Sequence, residues 1–210
     1  GRFSHLPGVV AEGRQVIANV ERVSMLFLTK TAYAVALAVA FGILMLEFPF
    51  LPRQLSVTDG LTIGIPAFFL ALLPNGRRYL PGFLRRSLTF AVPAGLVVAA
   101  VIVATTLLGR SLVVHELELR TGTTIALSFI GLAVLVSRSW PFTPIKTAIV
   151  AAMIAGLALV LLVPFAADFL LLVPPPPDFS IAVAFVTALG VVGIAIVHVI
   201  HWNAVMRSAQ

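Results

Sequence analysis

The sequence predicts an all-α, polytopic membrane protein: six transmembrane helices preceded by a cytoplasmic stalk helix. Three observations carry this. Of the 210 residues, 60% are hydrophobic and only 10% charged, against about 25% charged in a soluble domain, and the mean hydropathy is +1.10. The apolar residues gather into six runs, most near the ~20 residues that cross a ~30 Å hydrocarbon core. Short basic or Pro-rich turns separate the runs. The net charge of +6 sits in those turns, so topology accounts for it and no nucleic-acid partner is expected. The chain has no cysteine, which removes disulfides, thiolate chemistry and soft-metal sites built on Cys pairs.

Residues 1–24 read as a short lead and a stalk helix. Val9, Val10, Gly13, Val16, Ile17, Val20 and Val23 roughly keep a helical period, and no apolar run of the signal-peptide kind precedes them. Gly1 in place of Met leads to the expectation of a fragment or a processed chain. The transmembrane domain is expected over 25–202, with spans at about 25–46, 55–74, 88–108, 123–136, 147–165 and 179–198. The stalk runs into the first span. Pro49 and Pro52 in EFPFLP force a turn after it. The loops 75–87 and 109–122 bound the third span. The fourth looks short and is expected to extend into its flanks. Four prolines in LLLVPPPPD exclude a helical interior before the sixth, and 203–210 form a tail.

Orientation follows from the basic residues. Arg2, Arg14, Arg22, Arg77, Arg78, Arg85, Arg86, Arg138, Lys146 and Arg207 fall at the termini and alternate turns. The opposite turns hold Arg53, Arg110 and Arg120 with Glu47, Glu116, Glu118, Asp168 and Asp178. The first set is expected on the cytoplasmic side, with both termini, in a multi-pass protein of the cell membrane. Trp140, Trp202 and Tyr79 stand near expected interfaces.

The chemistry concentrates in the second run, LSVTDGLTIGIPAFFLALLP. It carries Asp59, whose type costs about 3 kcal/mol in mid-membrane on insertion scales. It also carries Gly60, Gly64 and Pro66. Proline has no N–H, so the Thr62 carbonyl loses its helical donor. That carbonyl, the Thr62 hydroxyl and the Asp59 carboxylate are hard oxygen donors suited to a hard cation. Irregular backbone at membrane depth is tolerated where it is buried in protein or lines a cavity. An interfacial acid near the outer end is the other reading of Asp59.

Lys30 has two readings as well: a counter-charge to Asp59, or an amine snorkelling to the interface. From the expected span ends, at 1.5 Å per residue, Lys30 lies roughly 8 Å from one edge and Asp59 roughly 6 Å from the other. That leaves about 16 Å between them in a ~30 Å core. Thr29, Thr31 and Tyr33 give the first span a polar side, and back-bonding within the helix is the common use of such threonines. His198 and His201 share a helix face but lack a third ligand nearby, and read as an interfacial cluster. His115 and Glu116 do not form HExxH, because residue 119 is Leu. Thr105, Thr106, Thr123, Thr124 and Ser128 are candidates for bonds between helices.

Three stretches together resemble the C-terminal transmembrane half of the P-type cation-transporting ATPases, and within them the bacterial group typified by the mycobacterial cation-transporting ATPase E. FSHLPGVVAEGRQVIAN, with Glu12, Gly13, Arg14 and Asn19, is similar to the family's link into its fifth transmembrane helix. LPRQL is similar to the outer turn before the sixth. Thr62, Gly64, Pro66 and Ala67 fall on the sixth-helix pattern. The resemblance covers 1–75 well, and the later spans match in number and hydropathy.

It implies that the six spans are helices five to ten of a pump. Thr31 and Ala34 then fall at fifth-helix ligand positions, and Asp59, Thr62 and Ile63 at sixth-helix ones. Ala34 and Ile63 replace acidic ligands, and Asp59 replaces an amide, so one carboxylate stands where the calcium pump has more. The implied metal ligands are Asp59, Thr62 and Thr31, with Lys30 as counter-charge and calcium the first-choice ion. ATP and Mg2+ would act only through actuator, nucleotide and phosphorylation domains. The chain has no DKTGT motif, no GDGxNDxP loop and no PEGL-type segment. It is therefore expected to be inactive alone. A free-standing six-span channel or secondary transporter is the rival, and a membrane scaffold a weaker third.

Overall fold

The structure, a computed structural model, describes residues 6–73 and 82–208, with side chains from Asn19 onward except those of Arg22 and residues 205–208. The expectations for Arg2, Arg77, Arg78 and Tyr79, and for the side chains of Glu12, Arg14, Arg22 and Arg207, lie outside the described residues. All regular structure among the described residues is helical.

Helix α1 is continuous over Leu6–Ile43, as a stalk running into a span requires. A turn with Met45 at φ 49° ends it. Pro52 then opens α2, Pro52–Asp59, since proline at the first helical position lacks only an N–H that would be unpaired anyway. Gln54 Oε1 accepts the Leu51 N–H at 3.0 Å and ties down that start. A π-helical turn, Gly60–Gly64, follows, then α3, Ile65–Leu72. The remaining helices are α4 (Phe83–Ser111), α5 (Glu116–Ser139), α6 (Pro144–Leu162), α7 (Pro164–Leu170) and α8 (Pro177–Ser208).

The helices outrun the expected spans where capping chemistry extends them. The expected polar loop 109–122 shrinks to a short turn, because His115 N–H donates to Glu118 Oε2 at 3.1 Å and Glu116 pairs with Arg120. Thr121, Ser128 and Ser139 of α5 donate their hydroxyls to carbonyls four residues back in their own helix, so an apolar environment holds them without loss. Helix α8 continues through the expected tail to Ser208. Helix α7 was not foreseen in the sequence.

Six helices are long and apolar enough to cross a membrane: Asn19–Ile43, Pro52–Leu72, Phe83–Ser111, Glu116–Ser139, Pro144–Leu162 and Pro177–Ala204. The chain is a multi-pass membrane protein. Helix α4 is the centre, packed along α1 on one side and against α5 and α8 on the other. Leu37, Phe90, Val98, Ile102, Ile130 and Ile194 are fully buried there. Phe68, Phe69, Phe129, Phe185 and Ile196 point outward, as a lipid-facing surface allows. Lipid is as apolar as leucine, so these helices hold together by close packing rather than by escape from water. Gly95 shows this: a Cβ there would stand 2.5 Å from Ala32 Cβ and 2.8 Å from the Tyr33 backbone nitrogen. The missing side chain lets α4 press directly on α1 beside Tyr33.

Candidate ion site at the broken helix

The second span is interrupted where glycine and proline meet. Ile65 gives its N–H to the Gly60 carbonyl, five residues back. Leu61 thereby loses its ordinary donor to the π turn. Thr62 loses its own because Pro66 has no N–H. The sequence pointed to the Thr62 carbonyl alone, and the π turn adds the one before it. Such turns are rare and often mark functional sites.

Asp59 ends the helix just before this turn. Its Oδ2 lies 2.6 Å from Lys30 Nζ, and its Oδ1 accepts the Tyr33 hydroxyl at 2.8 Å. The carboxylate is mostly covered, with 16% of its side chain exposed against 42% for Lys30. The separation of about 16 Å reached from the sequence is thus corrected to contact. Its error was in the span ends. The apolar part of α1 begins at Asn19 and the second span at Pro52, so Lys30 lies about 16 Å and Asp59 about 10 Å inward from opposite ends. In a core of about 30 Å these are nearly one level.

Thr62 stands on another side of the broken helix. It is buried, and its hydroxyl donates to the Thr58 carbonyl at 2.8 Å. Gln54, Thr58 and Thr62, four apart, form a buried polar row. Thr58 Oγ1 and Ser128 Oγ of α5 lie 3.2 Å apart, the bond between helices expected for Ser128. Gly131 makes room for the turn: a Cβ there would come within 2.9 to 3.1 Å of the Thr62 side chain. Thr31 is not brought to Asp59. It is exposed, and its hydroxyl donates to the Phe27 carbonyl at 3.1 Å.

Two contributors escaped the sequence reading. Tyr33 follows Lys30 by three residues, and that spacing puts both on one face of α1. Asn19 donates Nδ2 to the Ala71 and Leu73 carbonyls at 2.8 and 2.6 Å, so the stalk side of α1 caps the last turn of α3. Among the described residues, no three acidic, imidazole or thiol side chains gather as a metal-binding group. The donors at hand are one carboxylate, hydroxyls and backbone carbonyls. All are oxygens that suit calcium or magnesium better than a soft metal, but they fall short of the six to eight a calcium ion takes.

No family model matches the sequence. Curated relatives do. The chain is 37% identical over 215 residues to the "Calcium-transporting ATPase CtpE" of Mycolicibacterium smegmatis, covering 96% of this chain and 27% of the relative. It is 42% identical over 218 residues to the protein of the same name from Mycobacterium bovis, with the same coverage. The "Probable cation-transporting ATPase exp7" of Streptococcus pneumoniae is 33% identical over 67% of this chain and 19% of its own length. The chain belongs to the P-type cation-transporting ATPase family. It spans about a quarter of the length of these relatives. As part of a P-type ATPase, its broken second span is the element that joins an acid to unwound main chain inside the bundle.

Proposed function

We propose that the chain forms the transmembrane part of an ATP-driven cation pump, and that the broken helix supplies part of its ion site. Calcium is the first-choice ion, in keeping with the printed names of the mycobacterial relatives. The observation that carries the proposal is the covered Asp59 carboxylate beside a π turn whose carbonyls have lost their ordinary donors. Asp59 and Thr62 serve as ligands. Thr31 faces the open side of α1 and would join them only after α1 turns about its axis. ATP and Mg2+ would act through actuator, nucleotide and phosphorylation domains outside this chain, and the isolated chain would have no ATPase activity.

The stalk would pass the motion of those domains to the site. Support comes from the unbroken α1 and from Asn19, which ties it to the end of α3. Coupling of this kind needs two states that differ in cation affinity. The distribution of arginines favours the cell membrane with both termini cytoplasmic. The relatives' names favour a pump over a free-standing channel. In the full-length protein, Asp59→Asn should abolish cation-stimulated ATPase activity. Near-normal stimulation would remove Asp59 from the site.

A further inference from the structure

We infer that Lys30 is a tethered cation that occupies Asp59 whenever the transported ion is absent, so that the empty site returns without a proton. The inference rests on the reading of Asp59 as an ion ligand and deepens it. Both carboxylate oxygens are engaged, Oδ2 by the Lys30 ammonium at 2.6 Å and Oδ1 by the Tyr33 hydroxyl at 2.8 Å. An incoming metal ion must displace the ammonium to reach Oδ2. The exposures make that displacement feasible. Lys30 is 42% exposed and Asp59 16%, so the amine can swing to the open side on its four-carbon stem while the acid stays in place.

When the metal leaves, a bare carboxylate in a low-dielectric interior is costly. It must then take either a proton or another cation. Among the described residues, the titratable groups that meet Asp59 are Lys30 and Tyr33, both from α1. Helix α5 offers hydroxyls, with Ser128 reaching Thr58. The charged residues of the packed helices stand near their ends: Arg85, Arg86 and Arg110 on α4, Glu116, Glu118, Arg120 and Arg138 on α5, and Lys146 on α6. Lys30 is therefore the cation within reach. The pair it forms with Asp59 is neutral, and the return step needs no counter-ion at this carboxylate.

The test uses the full-length pump in sealed vesicles, with the membrane potential clamped, calcium as the probe and a pH indicator inside. Wild type and Lys30→Arg should move calcium with no matching proton counterflow. Lys30→Gln removes the competitor, so half-saturation should fall to about one fifth, the factor that matches ~1 kcal/mol for one ion pair. Each of its turnovers should now carry protons the opposite way. The inference is overturned if wild type exchanges protons for calcium in fixed ratio. It is equally overturned if Lys30→Gln keeps the wild-type half-saturation and moves no protons. Should Lys30→Gln not fold, the wild-type proton measurement decides alone. Failure of the underlying site is distinguishable, since it shows as calcium-stimulated ATPase activity that survives Asp59→Asn whatever residue 30 is.

Discussion

An acid in hydrocarbon is destabilising by about 3 kcal/mol on insertion scales, and the side chains around Asp59 show how this protein bears one. The ammonium of Lys30 and the hydroxyl of Tyr33 each take one oxygen. Hydrogen bonds to charged groups contribute roughly 1.5–3 kcal/mol, more than those between neutral partners. The row from Gln54 to Thr62 acts differently, fastening the broken helix to its surroundings through neutral bonds. Gln54 Nε2 donates to the Leu170 carbonyl at 3.1 Å, and Thr58 meets Ser128 at 3.2 Å. Side-chain bonds between membrane helices average about 0.6 kcal/mol. A double-mutant cycle of Thr58→Val and Ser128→Ala, read by reversible unfolding in mixed micelles, should return a coupling of about that size. A coupling of zero would mean that this contact does not hold the two helices.

At the scale of elements, the break was legible because its causes are local. Glycine, proline and an acid within eight residues announce themselves in any sequence. The partners of Asp59 were not legible, because they depend on how deep two helices sit relative to each other. That register is set by contacts such as Gly95 against Ala32 and Gly131 against Thr62, which no periodicity reveals. Span ends were misjudged for a related reason. Hydropathy sees apolar runs, while Gln54, Glu118 and the prolines at helix starts decide where winding begins. Thr31 shows the limit of alignment, since its position matches a family ligand while its hydroxyl bonds to its own helix. The break itself can be tested by Pro66→Ala. This restores an N–H opposite the Thr62 carbonyl and should rewind the turn. Cation affinity should fall about tenfold or more, as for losing a carbonyl ligand worth ~1.4 kcal/mol. Unchanged affinity in a cation-dependent phosphorylation assay would take the main chain out of the site.

For the whole molecule, the described helices form a bundle around α4, with α1 and the broken span on one flank and α5, α6 and α8 arranged beyond. The fold class followed from hydropathy alone, and the family from short stretches confined to the first third of the chain. The ion site reaches across two helices that hold each other through Asn19 at one end and the Asp59 cluster deeper in. A pull on the stalk is therefore felt at the carboxylate. The most direct test of this account is equilibrium binding of radioactive calcium to the full-length protein, wild type against Asp59→Asn. Saturable binding in the wild type that vanishes in the variant, with the variant still folded, is the predicted result. Equal binding by both would contradict the claim that the cation rests at the broken helix.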